Sequence, residues 1–387
     1  MIFIVALVLY ILGYIENKIY PLGCPPIVAF FGPITFLLLI CNILEKNASF
    51  FVYNLILLVL ILIWFLIGII SYLIFFKCKQ KKYKIQKIYF VPYMDRLVFL
   101  FLFLSTLKTV FIFGWQNTKG NAGGILAHLF ILFSPFYFFM TYIKNIKIKK
   151  ILLLMSLILL FLHPKYESFL FFLPLILYKF YRNKTIFKFK NIVIFMTIGF
   201  GVFSVFFCTY YINFKVKGLN VDFKEFSVFI INHIKYYVLS PLYIGKYFLL
   251  NPNQGDKVIP FSPFINITKV IIGNKDYINP ILPFVNYGGI SSNVGGIIPE
   301  LVYNIGNIGM YIYVSILGII TYIIENLFLK NRIWICTNLI LKSTLFLCFF
   351  NNVYSVLGYV ERVLGSLFIT LFLILYQKLK SKRRKHS

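Results

Sequence analysis

Apolar residues run along this chain in long unbroken stretches with short polar punctuation between them. The stretches at 27–44, 51–76, 97–113, 124–143, 191–212, 301–329, 333–350 and 353–377 approach or exceed the roughly 20 residues that cross a hydrocarbon core. A shorter one, 1–14, precedes them, without the basic leader or small-residue cleavage site of a removable signal peptide. The interval 151–178 differs. As a single helix it would be about 42 Å long at 1.5 Å per residue, so we read it as two short helices meeting at "HPKYE", His163 to Glu167. The pattern predicts an all-α polytopic membrane protein with about eleven transmembrane helices.

Charge orients these spans. The clusters at 77–87, 144–150, 179–190 and 330–332 and the tail at 378–387 carry Lys and Arg with no Asp or Glu, as the positive-inside rule expects of cytoplasmic segments. Pairing the spans between clusters puts the N-terminus outside and the C-terminus inside. The predicted organisation is N-terminal spans over 1–212, one large external loop over 213–300, C-terminal spans over 301–377 and a basic cytoplasmic tail over 378–387. Composition agrees with this picture: the chain is 60% hydrophobic and 13% charged, with a mean hydropathy of +0.86. The net charge of +28 does not point to nucleic acid, because the cations fall in juxtamembrane clusters and form no aromatic-interleaved basic domain.

Within the external loop, "FIINHIKYYVLSPLYIGKYFLL" spaces Ile231, Ile234, Val238 and Leu242 as one helical face, with His233, Lys235 and Tyr236 off it. This predicts an amphipathic helix, packed under the loop or lying on the membrane, which Pro241 should interrupt or kink. The loop holds no Cys, and the six Cys of the chain are scattered and read as small core residues. There is no P-loop, no Gly-x-Ser-x-Gly elbow, no His-Glu-x-x-His and no Cys-x-x-Cys, so ATP hydrolysis, serine hydrolysis and structural zinc have no support. No metal and no other cofactor is expected.

The loop ends in "SSNVGGIIPE", residues 291–300, which runs directly into the apolar stretch 301–329. Gly288-Gly289 and Gly295-Gly296 permit a turn or close approach to a ligand, Pro299 suits a first helical turn, and Glu300 complements the positive end of a helix dipole. Gly306 and Gly309, three apart, would share a helix face and admit a neighbouring helix. Ser292-Asn293-Val294-Gly295, then Pro299-Glu300-Leu301, Gly306, Gly309 and Gly318, resembles the C-terminal signature of O-antigen and capsule repeat-unit polymerases. "YYVLSPLYIGKYFL", 236–249, is similar to a segment of their large external loop, and the paired short helices around "HPKYE" fit the same family.

The resemblance implies an integral-membrane glycosyltransferase of GT-C-like architecture in the bacterial cytoplasmic membrane. It would work without nucleotide sugar or metal, joining undecaprenyl-pyrophosphate-linked oligosaccharide repeats at the outer face. A flippase and a chain-length regulator would be its partners. Such chemistry needs a cation for the departing pyrophosphate and a carboxylate or imidazole for the acceptor hydroxyl. Of six Arg, only Arg362, in "GYVERVLGS" beside Glu361, falls on the outer side of the expected topology. It is the first candidate for pyrophosphate, with a structural role as the alternative, and Lys165 is the second. Lys235, Lys246, Asn293 and Gly295 are candidate substrate contacts. Glu300 is the candidate base, or a carboxylate that only starts a helix, and His233 could serve instead. A ligase that moves finished glycan to a lipid acceptor would share this architecture. A flippase or exporter should instead show charge distributed across many helices, whereas the charge here is expected at loops.

Overall fold

The computed structural model describes residues 1–20, 23–44, 50–76, 94–114, 125–144, 222–274 and 276–383, with scattered positions between 155 and 214. The 191–212 span, the paired helices around His163 and most of the basic clusters lie largely outside these residues. What is described is nearly all helix: α1 (Ile2–Ile19), α2 (Pro26–Leu44), α3 (Phe51–Phe76), α4 (Met94–Phe113), α5 (Ile125–Lys144), α6 (Phe223–Leu250), α7 (Ser262–Ile271), α8 (Ile297–Lys330), α9 (Ile335–Leu347) and α10 (Leu357–Arg383). A two-stranded hairpin, β1 (Val285–Tyr287) with β2 (Ile290–Ser292), lies just before α8. Five of the described helices, α1, α3, α4, α8 and α10, are long and apolar enough to cross a membrane.

These helices are apolar outside as well as inside. On α1, Phe3, Leu7, Tyr10 and Tyr14 are exposed at helical spacing, while Val5, Leu9, Gly13 and Glu16 face inward. An exposed apolar stripe of that kind costs nothing in lipid, where water is not the solvent. The core gathers around Trp64 of α3, which stacks on Phe30 of α2 at 4.7 Å and donates its indole N–H to the Val314 carbonyl of α8 at 3.0 Å. The indole is fully buried, and its one polar atom has found a backbone acceptor, as a buried Trp requires.

Polar residues hold the spans together at a second level. Lys342 of α9 and Glu325 of α8 form a fully buried ion pair at 2.8 Å. Lys342 also donates to the Cys24 carbonyl, and the Asn338 amide donates to the other Glu325 oxygen. Glu16 of α1 is buried close enough to feel both charges. Nearby, Asn326 donates to Ser71 and to the Tyr322 carbonyl. Charge is concentrated at loops but not confined to them: the helices also bury an ion pair and a further carboxylate. Such groups are tolerated because each faces other protein, not lipid.

Two helix expectations are also corrected. Gly306 does not present a smooth helix face; at φ +73°, ψ 177° it breaks α8 into two helical segments. Helix α6 continues through Pro241, which therefore does not interrupt it. Of the face read in the sequence, Leu242 is buried as expected and Ile231 is exposed, while Phe226, Ile230, Leu239, Ile244 and Phe248 also point inward.

Candidate functional site

The loop "SSNVGGIIPE" is held where three elements converge: the hairpin, the first turns of α8 and the turn between α9 and α10. The hairpin turns at Gly288 and Gly289, both at positive φ, which is the backbone that a two-residue hairpin loop demands. After it, Gly295 packs against Gly245 of α6. A Cβ on Gly245 would lie 2.7 Å from the Gly295 carbonyl oxygen, and one on Gly295 would collide with the Phe248 ring. The two glycines let helix and loop touch backbone to backbone.

The turn after α9 has to be satisfied by protein. At 1.5 Å per residue α9 is about 20 Å long, short of a hydrocarbon core of about 30 Å. The irregular backbone that follows α9 finds hydrogen-bond partners inside the protein. Gly296 donates to the Phe350 carbonyl at 3.1 Å and Ile297 to the Cys348 carbonyl at 3.0 Å. Thr344 and Tyr354 share a hydroxyl–hydroxyl bond of 2.8 Å. Ser262, at the start of α7, donates to the Ser355 carbonyl at 2.8 Å and so ties α7 to the same turn.

Glu300 closes the junction. One carboxylate oxygen accepts the Gly295 N–H at 3.0 Å and the other accepts the Asn352 N–H at 2.8 Å, with the side chain buried. The carboxylate thus staples the loop that precedes α8 to the turn that precedes α10. A little further along α8, the break at Gly306 removes the N–H partners that the Val302 and Tyr303 carbonyls would have had in a continuous helix. Asn253 and Gly255 replace them, donating at 3.2 and 2.8 Å. The segment after α6 is in this way built into the break.

Arg362 lies on the second turn of α10, 3% exposed, and its Nε has no hydrogen-bond partner. Among the described residues it makes no ion pair. Its neighbour Glu361 turns to a different partner, His128 of α5, with Nδ1 2.8 Å from a carboxylate oxygen. α5 and α10 run side by side from this end: a Cβ on Gly365 would be buried in the backbone at Leu132.

No protein-family model matches the chain, and no match is found among curated proteins or solved structures.

The structure brings Glu300, Gly295 and Asn293 into one loop, with Gly295 buried and Asn293 partly exposed. Lys246 follows Gly245 on α6 and is partly exposed beside that loop. His233 and Lys235 belong to the helical run of α6, but their side chains lie outside the described residues, and so does Lys165. The His128–Glu361 pair was missed in the sequence, where the two residues are 233 positions apart. Only the parallel packing of α5 on α10 makes them neighbours. The one available signal was a His and a Glu each near the start of an apolar run.

Proposed function

We propose that the chain is a polymerase that joins undecaprenyl-pyrophosphate-linked oligosaccharide repeats into O-antigen or capsular polysaccharide at the outer face of the bacterial cytoplasmic membrane. In this reading it has about eleven spans and a GT-C-like plan, with the 213–300 segment outside. The observation that carries the proposal is Arg362: a permanently charged guanidinium, buried with an unpartnered Nε, beside a turn that the external segment covers. A buried guanidinium without a carboxylate is costly. An anion that enters the site and accepts from its planar fork offsets that cost, and a pyrophosphate offers the oxygens to do so.

The roles then divide by what each group has available. Arg362 stabilises the negative charge that grows on the lipid pyrophosphate as the sugar leaves. Glu300 has both oxygens occupied by backbone N–H groups, which fits a positioning residue that keeps loop and turn in register better than an acceptor base. Glu361 at Nδ1 of His128 favours the tautomer with its lone pair on Nε2, the orientation by which a carboxylate prepares an imidazole to take a proton. His128 therefore joins His233 as a candidate base for the acceptor hydroxyl, and it is the one whose carboxylate partner is defined.

The deciding experiment is polymerisation of purified lipid-linked repeats by the reconstituted protein. The wild-type chain should yield a ladder of products and free undecaprenyl pyrophosphate, and Arg362→Ala should yield neither. Transfer to a lipid-A-type acceptor without chain growth would identify a ligase. Movement of the lipid-linked repeat across the bilayer without any new bond would identify a flippase.

A further inference from the structure

The short helix α7 is built the wrong way round for a water-exposed element. Its inward side buries Pro263 together with two polar side chains: Ser262 donates to the Ser355 carbonyl, and the Asn266 side chain both donates to and accepts from the Ile278 backbone at 2.9 and 2.8 Å. Its outward face is apolar. Phe264 and Ile271 of α7, and Phe261 at the end of the 3-10 turn (Ile259–Phe261) that leads into it, are exposed at 54, 79 and 44%, and with Thr268 they follow one another at intervals of three, four and three, a stripe continuous with one side of the helix. Ile272 extends it at 68% exposure. A helix in water should bury the Phe and Ile and expose the Ser and Asn.

The position of the stripe says what covers it. Phe261 packs against Tyr313 of α8 with ring centroids 5.9 Å apart. Immediately beside Tyr313, Ile308, Ile312 and Ile316 form the exposed apolar row of the α8 span. The stripe on α7 therefore continues, around one corner, the surface that α8 presents to hydrocarbon. Lys257, exposed one turn before Phe261, stands where a lipid phosphate would be met at the edge of such a surface.

We propose that α7 is an interfacial helix, inserted by its Phe261–Phe264–Ile271 stripe into the bilayer leaflet on the Glu300 side, so that the external segment is moored in lipid beside the α9–α10 turn. The mooring is independent of the reaction proposed above and holds for any activity of the junction. It does mean that a ligand carried on a membrane lipid would reach that turn without leaving the leaflet.

The test uses the full chain in nanodiscs of phosphatidylethanolamine and phosphatidylglycerol, with a photoreactive benzoylphenylalanine in place of Phe264, of Ile271 or, as the control, of the exposed hairpin residue Asn286. After irradiation, intact-mass spectrometry should find one-phospholipid adducts at positions 264 and 271 in several-fold higher yield than at 286. Either position alone suffices if the other substitution prevents folding, which size-exclusion chromatography would reveal. Equal yields at all three positions would place the stripe in water and overturn the proposal. Crosslinking at 264 and 271 to a second copy of the chain would overturn it too, assigning the stripe to a protein interface.

Discussion

Removing the Glu300 side chain should release the two ends of the junction together. In Glu300→Ala the Gly295 and Asn352 N–H groups, which donate to the carboxylate at 3.0 and 2.8 Å, lose their acceptor in a site that admits little water. A buried donor left unsatisfied costs about 1–3 kcal/mol, so the pair predicts a loss of about 2–6 kcal/mol, reduced by whatever the desolvated carboxylate itself had cost. Glu300→Gln keeps one acceptor oxygen and turns an NH2 toward the other donor, so it should lose about half as much. The assay is hydrogen exchange in detergent or nanodiscs, read on peptides covering 290–300 and 348–356. At about 1.4 kcal/mol per tenfold, the 1–3 kcal/mol lost with each donor should raise exchange at its own segment about 5- to 150-fold in Glu300→Ala, while α3 around Trp64 keeps its protection. The reasoning fails if Glu300→Ala leaves both segments as protected as wild type. It also fails if only one of them opens, since the carboxylate would then not be joining them.

Lys342→Met strands Glu325 in the core and should cost about 3–5 kcal/mol of stability; Glu325→Gln with Lys342→Met should recover most of it, because a neutral, well-packed replacement removes the stranded charge. A double variant no more stable in a thermal melt than Lys342→Met would refute the pairing. Gly306→Ala forces a Cβ into backbone that essentially only glycine adopts, 2.6 Å from Asn253 Oδ1, and should cost about 1–3 kcal/mol from strain alone, read as a lower midpoint in the same melt. For the reaction, Arg362→Ala should lower the polymerisation rate by about 10²–10³, the usual effect of losing one preorganised donor, and Arg362→Lys should recover only part; a wild-type rate in a normally inserted Arg362→Ala protein would remove Arg362 from the chemistry. His128→Ala should slow polymer formation without changing retention of the lipid-linked repeat, and equal rates would return the role of base to His233.

Much of the helical plan was readable from hydrophobic runs, because in a bilayer the backbone must satisfy itself within each apolar segment and run length then reports the helix directly. Stretches 51–76 and 27–44 appear at nearly the expected limits as α3 and α2. The loop "SSNVGGIIPE" was also recognisable as a junction, since paired glycines, Pro299 and a carboxylate at the mouth of an apolar run are local features. Contacts were not readable. Gly306 carries no sign, in one dimension, of whether it packs a neighbour or breaks its own helix; the outcome depends on the distant N–H groups of Asn253 and Gly255 arriving to donate to the exposed Val302 and Tyr303 carbonyls. Glu300 looked like a helix-start carboxylate, and only the placement of Asn352 against it made it a staple. Glu361 and Arg362 are adjacent, but neighbouring positions on a helix point about 100° apart, and only helix packing pairs Lys342 with Glu325 and Glu361 with His128. Sequence periodicity states which residues avoid water, whereas the partner of a buried polar group is chosen by the packing of distant helices, and it is that choice which makes a charge a structural pin or leaves it, like Arg362, with a guanidinium nitrogen still unpaired.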